Sequence, residues 1–378
     1  MQLKFRKSLK TQNKKLIYIV AGEPSGDLHG SHLINNFKKQ SKEPLMFRGL
    51  GGPLMQKAGL KTVEKFDKLS VMGFLEVLLR LPFFIKLKNK TILDIKKHLP
   101  KKIVLIDYPG FNLKLAQTIK KELQIKIYFY ISPQVWAWKE KRVLSIKKYV
   151  DEMIVVFPFE KDWYAKRNFF VNYFGHPLID LYKNKVKKEP SKTINVGVFP
   201  GSRQQELDNH LPVLRQTIAL LNNKFDNLHF IIGVANEKTN KHIIKKLNLK
   251  SNFTVVANNS IHAFNLSNVA IVASGTATLE CAISKTPFVV IYKTSFISWF
   301  LTSFFIKINF ASIVNILGNR LIVKELLQKN CAPSLIADQV CSLINSNNTM
   351  FLNEMREIVG TLGDGTSYKK SSNFILNS

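Results

Sequence analysis

The sequence predicts an α/β protein with two doubly wound parallel sheets. Short runs rich in Val, Ile, Phe and Tyr recur along the 378 residues, among them KLIYIV, KIVLID, IKIYFYI, NVGVF and VAIVAS. Most are continuously apolar, as a strand covered on both faces requires. Amphipathic stretches such as GSHLINNFKKQ and LPVLRQTIALLNNKF separate them, and this alternation of strand and helix favours parallel sheets.

A polar, charged stretch with a proline, residues 182–192, divides the strands into two groups and is typical of an exposed linker. We therefore expect a first domain over residues 1–185 and a second over 186–350, with a C-terminal segment, 351–378. Doubly wound sheets bind ligands beyond the carboxyl ends of their strands, so the ligands of two such domains are expected in the cleft between them.

The composition indicates an anionic partner without naming it. The chain has 56 Lys and Arg against 26 Asp and Glu, a net charge of +30. Such a surplus suits nucleic acid, an anionic membrane or phosphorylated substrates, although a general drift toward lysine would produce it without function. Cys281, Cys331 and Cys341 lack CxxC or Cys/His spacing, which argues against a disulfide framework and a metal site. Because no signal peptide and no run of about 18 apolar residues occurs, a cytoplasmic protein is expected.

The motif NVGVFPGSRQQEL predicts a strand, a tight turn and a helix in the second half. Gly201 and Ser202 form the turn, and Arg203 stands at the start of the helix. Free backbone N–H groups at a helix N-terminus favour an anion, and an arginine there adds a bidentate phosphate donor. Neither GxxxxGK[ST] nor GxGxxG is present, so the turn is not a Walker A loop or a dinucleotide fingerprint.

A second strand, turn and helix, VAIVASGTATLECAIS, repeats this arrangement. Its glycine permits close backbone approach, and a glutamate one helical turn deeper could accept both ribose hydroxyls of a nucleotide. Either motif alone is weak, because an acidic residue in a first turn is usually a cap or a dipole partner. Two motifs at successive strand ends favour a nucleotide diphosphate. The candidates here are Ser274, Gly275, Thr276, Thr278 and Glu280.

The first half carries other polar groups at strand ends. In KKIVLIDYPGFNLKLA the strand ends on Asp107, where a carboxylate facing the cleft could take a proton from a hydroxyl. An ordinary strand-ending turn is the alternative. The two tryptophans of YFYISPQVWAWKEKR could contact a sugar or lipid if exposed, or lie in the core. His176, directly before a proline, fits either a site donor or a turn residue.

Two apolar stretches with neighbouring basic residues, VMGFLEVLLRLPFFIKLKNK and SFISWFLTSFFIKINF, exceed the needs of a soluble core. Short segments that are apolar on one side and flanked by lysines tend to lie in the membrane interface rather than cross it. A helix buried between the domains is the alternative. The interfacial hypothesis assigns membrane contact to Phe74, Leu78, Arg80, Phe83, Phe84, Lys86, Trp299 and Phe300.

Several blocks together resemble the lipid-A-disaccharide synthases. They are, in order, AGEPSGDLHG, VMGFLEVL, IDYPGFN, ISPQVWAWKEKR, FPFE, GHP, PGSRQQE and ASGTATLE, and the resemblance runs from Leu16 to Gln328. SPQVWAWKEKR together with AGEPSGD is specific to that family rather than to its fold. Tyr108 and Gly110 stand where members more usually have Ala and where some have a second Asp, which leaves Asp107 as the candidate carboxylate.

The resemblance implies two Rossmann-like domains of the glycosyltransferase B (GT-B) type, with the C-terminal segment crossing back onto the first. It implies transfer of 2,3-diacylglucosamine from its UDP conjugate to 2,3-diacylglucosamine 1-phosphate (lipid X), giving the β-1,6-linked tetraacyl disaccharide 1-phosphate of lipid A and UDP. It further implies an enzyme without metal or cofactor, peripheral on the cytoplasmic face of the inner membrane. Its partners would then be the two lipid substrates and the phospholipid surface, with no nucleic acid.

An α-linked donor and a β-linked product imply inversion, for which a single displacement is the simplest route. Asp107 would deprotonate the acceptor 6-hydroxyl, and Glu280 would hold the ribose. Arg203 and the helix N-terminus near Thr276 would stabilise charge on the leaving UDP. Asn315, in SIVNIL, resembles a family position near the site. AGEPSGDLHG resembles an acceptor-side loop rather than a nucleotide cradle, and the acceptor-side candidates are Gly22, Glu23, Ser25, Gly26, Asp27, Asn112 and His176.

Rival functions remain open at the level of sequence. The same fold with a similar SGT…E element serves the peptidoglycan N-acetylglucosaminyltransferase and UDP-N-acetylglucosamine 2-epimerase. An epimerase predicts activity without any acceptor. A basic membrane- or RNA-binding protein is supported by charge alone and predicts binding that collapses with salt and no response to UDP.

Overall fold

The computed structural model describes residues 16–66, 80–137, 139–182, 185–186, 193–234, 239–249, 251–294 and 309–378. The chain forms two compact units. The first comprises Met1–Pro177 together with Asp364–Ser378, and the second comprises Leu178–Gly363.

The first unit contains a parallel sheet of seven described strands, in the order β3-β2-β1-β4-β5-β6-β7. The order reverses between β1 and β4, the switch point at which doubly wound sheets bind ligands. The strands are β1 (Leu16–Ala21), β2 (Met46–Leu50), β3 (Leu60–Thr62), β4 (Lys102–Ile106), β5 (Lys126–Tyr130), β6 (Glu152–Val155) and β7 (Asn172–Tyr173).

Helices cover this sheet, and their apolar residues recur three and four positions apart. The helix after β1 buries Leu33, Ile34 and Phe37 on one face, while lysines occupy its last turn, where they complement the helix dipole. The helices in this part of the chain are α1 (Pro24–Gln40), α2 (Pro53–Lys57), α3 (Leu81–His98), α4 (Pro109–Glu122), α5 (Arg142–Tyr149), α6 (Phe159–Ala165) and α7 (Pro177–Tyr182), the last of which runs into the second unit.

The second unit contains a parallel sheet of six described strands, in the order β10-β9-β8-β11-β12-β13, with its reversal between β8 and β11. Its strands are β8 (Ile194–Phe199), β9 (Leu228–Val234), β10 (Phe253–Ala257), β11 (Val269–Ala273), β12 (Phe288–Tyr292) and β13 (Glu325–Leu327). Its helices are α8 (Gln204–Asn222), α9 (Asn240–Leu247), α10 (Ser260–Leu266), α11 (Thr276–Ile283), α12 (Ile313–Gly318), α13 (Pro333–Asn345) and α14 (Thr349–Gly360), with a 3-10 turn over Gln328–Asn330.

The last helix, α15 (Ser367–Asn377), belongs to the first unit and packs against α1. Lys102 Nζ donates to the carbonyl oxygens of Ile375 and Leu376 at 2.6 and 2.8 Å. These are carbonyls of the last turn of α15, which carry the negative end of the helix dipole. The C-terminal residues are thus fixed to the first unit by a charge-assisted contact as well as by packing.

No helix within the described ranges is long and apolar enough to cross a membrane. Among the same residues, no group of three or more His, Cys, Asp or Glu side chains is arranged to hold a metal ion. Tyr182, which the sequence places at the start of an exposed linker, is buried at the end of α7.

Candidate active site

Asp107 directly follows β4 in an unusual turn. Asp107 and Tyr108 both have left-handed backbone conformations, with φ of 44° and 51°, which non-glycine residues rarely adopt. Asn112, fully buried in the first turns of α4, stabilises the turn: its Nδ2 donates to the carbonyl oxygens of Ile106 at 3.2 Å and Asp107 at 2.7 Å. Two consecutive strained residues at the end of a strand are typical of a functional position.

The environment of Asp107 favours its protonated form. Burial, followed by the negative charge of Glu23, raises the pKa of Asp107 to about 6, although a hydrogen bond from the Tyr108 backbone opposes this shift. A carboxylate whose pKa lies near neutrality is well suited to take a proton from a hydroxyl group. Glu23 itself is exposed, in the loop between β1 and α1.

The β1–α1 loop and the β4–α4 turn pack together through a glycine. A Cβ atom on Gly22 would lie 2.5 Å from ring atoms of Tyr108, so a side chain at this position would clash with the turn that carries Asp107. Gly26 is also tight, since its Cβ would lie 3.2 Å from the Cβ of Ala21. Ser25 is exposed on the first turn of α1.

Asp27 is buried, and its carboxylate is used inside the fold. Its two oxygens accept hydrogen bonds from the backbone N–H groups of Leu54 at 3.0 Å and Met55 at 2.9 Å. These groups lie at the N-terminus of α2, where a carboxylate satisfies free donors and complements the helix dipole. Asp27 therefore holds the β2–α2 loop against α1.

His176 lies in the core, where its imidazole is neutral. Its ring packs against Phe157 with centroids 5.2 Å apart. Burial, followed by the charge of His29, lowers the pKa of His176 to about 3. His29 Nδ1 lies 2.8 Å from the hydroxyl of Tyr368, and the ring of His32 stacks on Tyr368 at 4.8 Å. No sequence pattern predicts that these histidines meet Tyr368, because Tyr368 comes from the distant helix α15.

Trp136 is a core residue, which decides one of the alternatives left open by the sequence. It is buried, and its Nε1 donates to Glu160 Oε1 at 3.2 Å. Glu160 also accepts from the backbone N–H groups of Val156 and Phe157 at 3.1 and 3.0 Å, and burial raises its pKa to about 7. The other tryptophan of the motif, Trp138, lies outside the described residues.

In the second unit, the turn before α8 has the geometry of an anion site. Gly201 has φ of 107°, and the backbone N–H groups of Ser202 and Arg203 point to one carboxylate oxygen of Glu206, at 3.1 and 3.2 Å. The Arg203 guanidinium, with 70% of its side chain exposed, lies 3.5 Å from the other oxygen. An anion of the protein itself thus occupies the donors that the sequence assigns to a phosphate.

The buried His210 holds this turn in place. No sequence motif indicated a role for this residue. Its Nδ1 lies 2.7 Å from the carbonyl oxygen of Pro200, and the backbone N–H of Lys293 donates to Nε2 at 2.9 Å. Since Nε2 accepts, the ring proton is on Nδ1. Burial lowers the pKa of His210, which keeps the ring neutral. The histidine therefore ties the turn to the residue that follows β12.

The turn before α11 is open, whereas the Glu206 carboxylate fills the turn before α8. Gly275 has φ of 144°, and among the described residues no heavy atom lies within 4 Å of the place its Cβ would take. Thr276 is exposed at the first position of the helix. Ser274 Oγ donates to the carbonyl of Ala311, and the buried Thr278 hydroxyl donates to that of Gly275, at 2.7 and 2.8 Å. These two hydroxyls shape the turn.

Glu280 and Asn315 lie in contrasting environments. The Glu280 carboxylate accepts a hydrogen bond from the Tyr182 hydroxyl at 2.7 Å, and burial raises its pKa. The buried Asn315 amide is fully used in its own loop. Its Nδ2 donates to the Val323 carbonyl and to Glu325, and its Oδ1 accepts from the backbone N–H groups of residues 322 and 323, all within 2.7–2.9 Å. In this structure Asn315 stabilises the loop.

The start of α3 lies beside the Asp107 turn. Phe83 and Phe84 are partly buried against the core of the first unit, and the Phe84 ring lies 6.5 Å from that of Tyr108. Arg80 and Lys86 are exposed. Exposed apolar surface at this point comes instead from neighbouring residues, Leu81 and Ile85, which are 42% and 52% exposed. The other proposed membrane residues, Phe74, Leu78, Trp299 and Phe300, lie outside the described residues.

Solved structures show the same fold at low sequence identity. UDP-N-acetylglucosamine 2-epimerase from Neisseria meningitidis, bound to UDP-GlcNAc, matches with a TM-score of 0.67 over 96% of this chain and 100% of its own, at 12% identity. MurG of Acinetobacter baumannii matches with a TM-score of 0.57 over 97% and 100%, at 11% identity. These similarities confirm the predicted α/β fold of the GT-B type and carry no statement about substrate.

The sequence relationship is much closer to one family. A family model described as Lipid-A-disaccharide synthetase matches residues 17–372. A lipid-A-disaccharide synthase of Coxiella burnetii is 37% identical over 361 residues, 93% of this chain and 93% of the relative. Lipid-A-disaccharide synthase 1 of Legionella pneumophila is 36% identical over 350 residues, 89% and 90% of the two chains. The chain therefore belongs to the lipid-A-disaccharide synthase family, and its activity is the synthesis of the lipid A disaccharide.

Proposed function

We propose that this chain condenses UDP-2,3-diacylglucosamine with 2,3-diacylglucosamine 1-phosphate, forming the β-1,6 tetraacyl disaccharide 1-phosphate and releasing UDP. The observation that carries this proposal is Asp107, a carboxylate held in a strained turn at the end of β4 with its pKa raised to about 6. Near neutral pH such a group is mostly ionised, yet it is basic enough to receive the proton of an attacking hydroxyl.

In the proposed reaction Asp107 removes the proton from the acceptor 6-hydroxyl as that oxygen attacks the anomeric carbon of the donor. The bond from this carbon to the UDP oxygen breaks in the same step, so the configuration inverts. Negative charge then grows on the leaving diphosphate. Arg203 and the backbone N–H groups at the start of α11, which no described side chain caps, are the donors that we assign to that charge.

The remaining candidates have supporting roles in this proposal. Glu280 accepts hydrogen bonds from the ribose hydroxyls, and the exposed Thr276 contacts the diphosphate. The acceptor-side loop presents Glu23 and Ser25, both exposed, whereas Gly22 and Gly26 allow the loop to pack closely against its neighbours. Asp27, Asn112 and His176 stay on the acceptor side in this proposal; their side chains are buried, and Asp27 and Asn112 bond to neighbouring backbone groups.

We assign the acceptor and the membrane surface to the first unit and the donor nucleotide to the second. The membrane assignment is supported by the exposed Leu81 and Ile85 beside the exposed Arg80 and Lys86 at the start of α3. Apolar side chains with neighbouring cations suit the interface of an anionic bilayer. In the first turn of α3, the Phe84 ring lies 6.5 Å from the ring of Tyr108, the neighbour of Asp107. Acyl chains held at this surface would therefore lie near the proposed base.

The test is to incubate the purified protein, in mild detergent, with both lipid substrates and to follow disaccharide and UDP by mass spectrometry. We expect both products only when the acceptor is present. Asp107→Asn should reduce kcat at least a hundredfold while UDP affinity is kept. Asp162→Asn, which removes an exposed carboxylate from α6 of the same unit, is the matched control.

Two results would contradict the proposal. Normal turnover by Asp107→Asn would remove the base assignment. UDP release from UDP-N-acetylglucosamine without any acceptor would show that the substrate had been assigned wrongly.

A further inference from the structure

The carboxylate of Glu280 is held by hydroxyl groups from two other segments of the second unit. Tyr182, the last residue of α7, donates its phenolic O–H to Glu280 Oε1 at 2.7 Å. The Tyr182 oxygen also lies 3.0 Å from Oγ of Ser260, the first residue of α10, which can donate to it while Tyr182 donates to the carboxylate. Residues that are 98 and 20 positions away from Glu280 therefore determine its orientation.

The charges at this contact keep the proton on the tyrosine. Burial, followed by the negative charge of Glu280, raises the pKa of Tyr182, so the phenol remains a donor. Burial also raises the pKa of Glu280, but the hydrogen bonds from Tyr182 and Ser260 oppose that shift and favour the ionised form. An ionised carboxylate has about four acceptor positions. The Tyr182 hydroxyl leaves capacity for a further pair of donors, and a ribose supplies such a pair.

A glutamate side chain free to rotate would lose conformational entropy each time it bound a ligand. Tyr182 removes most of that freedom before the ligand arrives. Tyr182 is itself buried, so packing holds its ring in place. Its hydroxyl is therefore a donor at a fixed position for the carboxylate. Preorganisation of this kind strengthens binding of the group that the carboxylate recognises, and of that group alone.

We propose that Tyr182 is a positioning residue for the donor nucleotide, which orients Glu280 to accept the 2′- and 3′-hydroxyls of the ribose, with Ser260 in an assisting role. This inference rests on the proposed function, in which this site takes UDP. It implies that the enzyme discriminates against a nucleotide that lacks the 2′-hydroxyl, and that Tyr182 sets part of this discrimination.

The test compares the dissociation constants of UDP and 2′-deoxy-UDP, measured by isothermal titration calorimetry on the full chain. Wild type should bind UDP more tightly than 2′-deoxy-UDP. Tyr182→Phe removes only the hydroxyl and should weaken UDP binding by up to about tenfold, the effect of ordering one flexible side chain on binding. Its affinity for 2′-deoxy-UDP should change much less, so the ratio of the two constants moves toward one. In the transfer reaction KM for the donor should rise while kcat at saturation stays close to wild type.

Tyr164→Phe is the matched control, because it also deletes a buried tyrosine hydroxyl bonded to a serine, Ser132 at 2.8 Å, but in the first unit. It should leave the UDP to 2′-deoxy-UDP ratio unchanged. Ser260→Ala should move the ratio in the same direction as Tyr182→Phe by a smaller factor, and it serves as the test variant if Tyr182→Phe does not fold.

An unchanged ratio in a folded Tyr182→Phe protein would overturn the inference, and so would a fall in kcat with KM unaltered. Failure of the proposed function would look different: without a UDP site wild type itself would bind neither nucleotide, and a wrong sugar substrate would show only in the transfer assay.

Discussion

Asn112 Nδ2 donates a hydrogen bond to the carbonyl oxygen of Asp107 at 2.7 Å, and a second one to the carbonyl of Ile106 at 3.2 Å. The two carbonyls belong to the end of β4 and the start of the left-handed turn. A fully buried amide in the first turns of α4 thus stabilises the conformation that carries the proposed base. Asn112 therefore acts as a hydrogen-bond donor to the backbone of this turn.

Replacement of this donor should cost both stability and turnover. Asn112→Ala removes the side-chain hydrogen bond to each of these two carbonyls, which costs about 1–3 kcal/mol of unfolding free energy, and kcat should fall while UDP affinity is kept. Asn112→Asp should be worse than Asn112→Ala, because an ionised carboxylate would face two carbonyl oxygens. Denaturant unfolding and steady-state kinetics measure these effects. Asn36→Ala, which removes an amide bonded to the carbonyl of His32, is the control. Equal kcat in Asn112→Ala and wild type would contradict this role.

The raised pKa of Asp107, about 6, predicts how activity depends on pH. The base is protonated and inactive below that value, so log kcat/KM should fall with unit slope as the pH drops through about 6. Glu23→Gln removes the negative charge that contributes to the shift, so the inflection should move to lower pH. Glu43→Gln, an exposed carboxylate after the far end of α1, should not move it. An inflection that stays in place in Glu23→Gln would show that Glu23 does not act on the base.

The raised pKa of Asp107 also makes stability depend on pH, in the opposite direction to activity. The folded pKa of Asp107 lies above the usual value of 3.8, so the folded state retains this proton between 3.8 and about 6. The contribution of Asp107 to stability is therefore fully present below 3.8 and is lost as the pH rises through about 6. Activity and this part of the stability should change in opposite directions over the same pH range.

Much of the fold could be predicted because parallel strands covered on both faces need an apolar residue at nearly every position. LIYIVA and VAIVA satisfy this condition and are buried throughout. The turns before α8 and α11 could be predicted from glycine and serine at strand ends. The resemblance, rather than any local pattern, selected Asp107 from the many carboxylates that follow a strand.

The partners of buried polar side chains could not be predicted in this way. Asp27 caps α2 through Leu54, and Asn315 bonds within its own loop, and neither partner could be read from the sequence. Tyr182 looks like the start of a linker, yet it is buried and bonded to Glu280. Each pairing depends on how the chain folds in space, and hydrophobic periodicity carries no information about that.

Glu206 occupies the backbone N–H groups of Ser202 and Arg203, which the sequence assigns to a phosphate, so it should compete with the ligand. Glu206→Gln keeps the shape and the capping capacity of the side chain but removes its charge. UDP affinity should rise severalfold, with a loss of stability no greater than about 1 kcal/mol. Asp208→Asn removes a nearby exposed charge from the same helix and is the control, to be compared by calorimetry. Weaker UDP binding in Glu206→Gln would mean that the carboxylate supports the site rather than blocks it.

His210 should make the donor-binding unit sensitive to acid. Because burial lowers its pKa, the unfolded chain binds a proton that the folded protein excludes, so stability is present above the unfolded value of about 6.5 and is lost as the pH falls below it. Protonation would also remove the acceptor for the Lys293 N–H and so release the turn at Pro200.

His210→Gln should therefore reduce the pH dependence of unfolding below 6.5 and weaken UDP binding at neutral pH, since an amide reproduces the two hydrogen bonds only imperfectly. Thermal unfolding across a pH series and calorimetry with UDP measure both effects. His229→Gln, which changes a surface histidine bonded to Thr254 in the same unit, is the matched control and should alter neither. If the acid limb of the stability curve is the same in His210→Gln as in wild type, the buried imidazole is not its source.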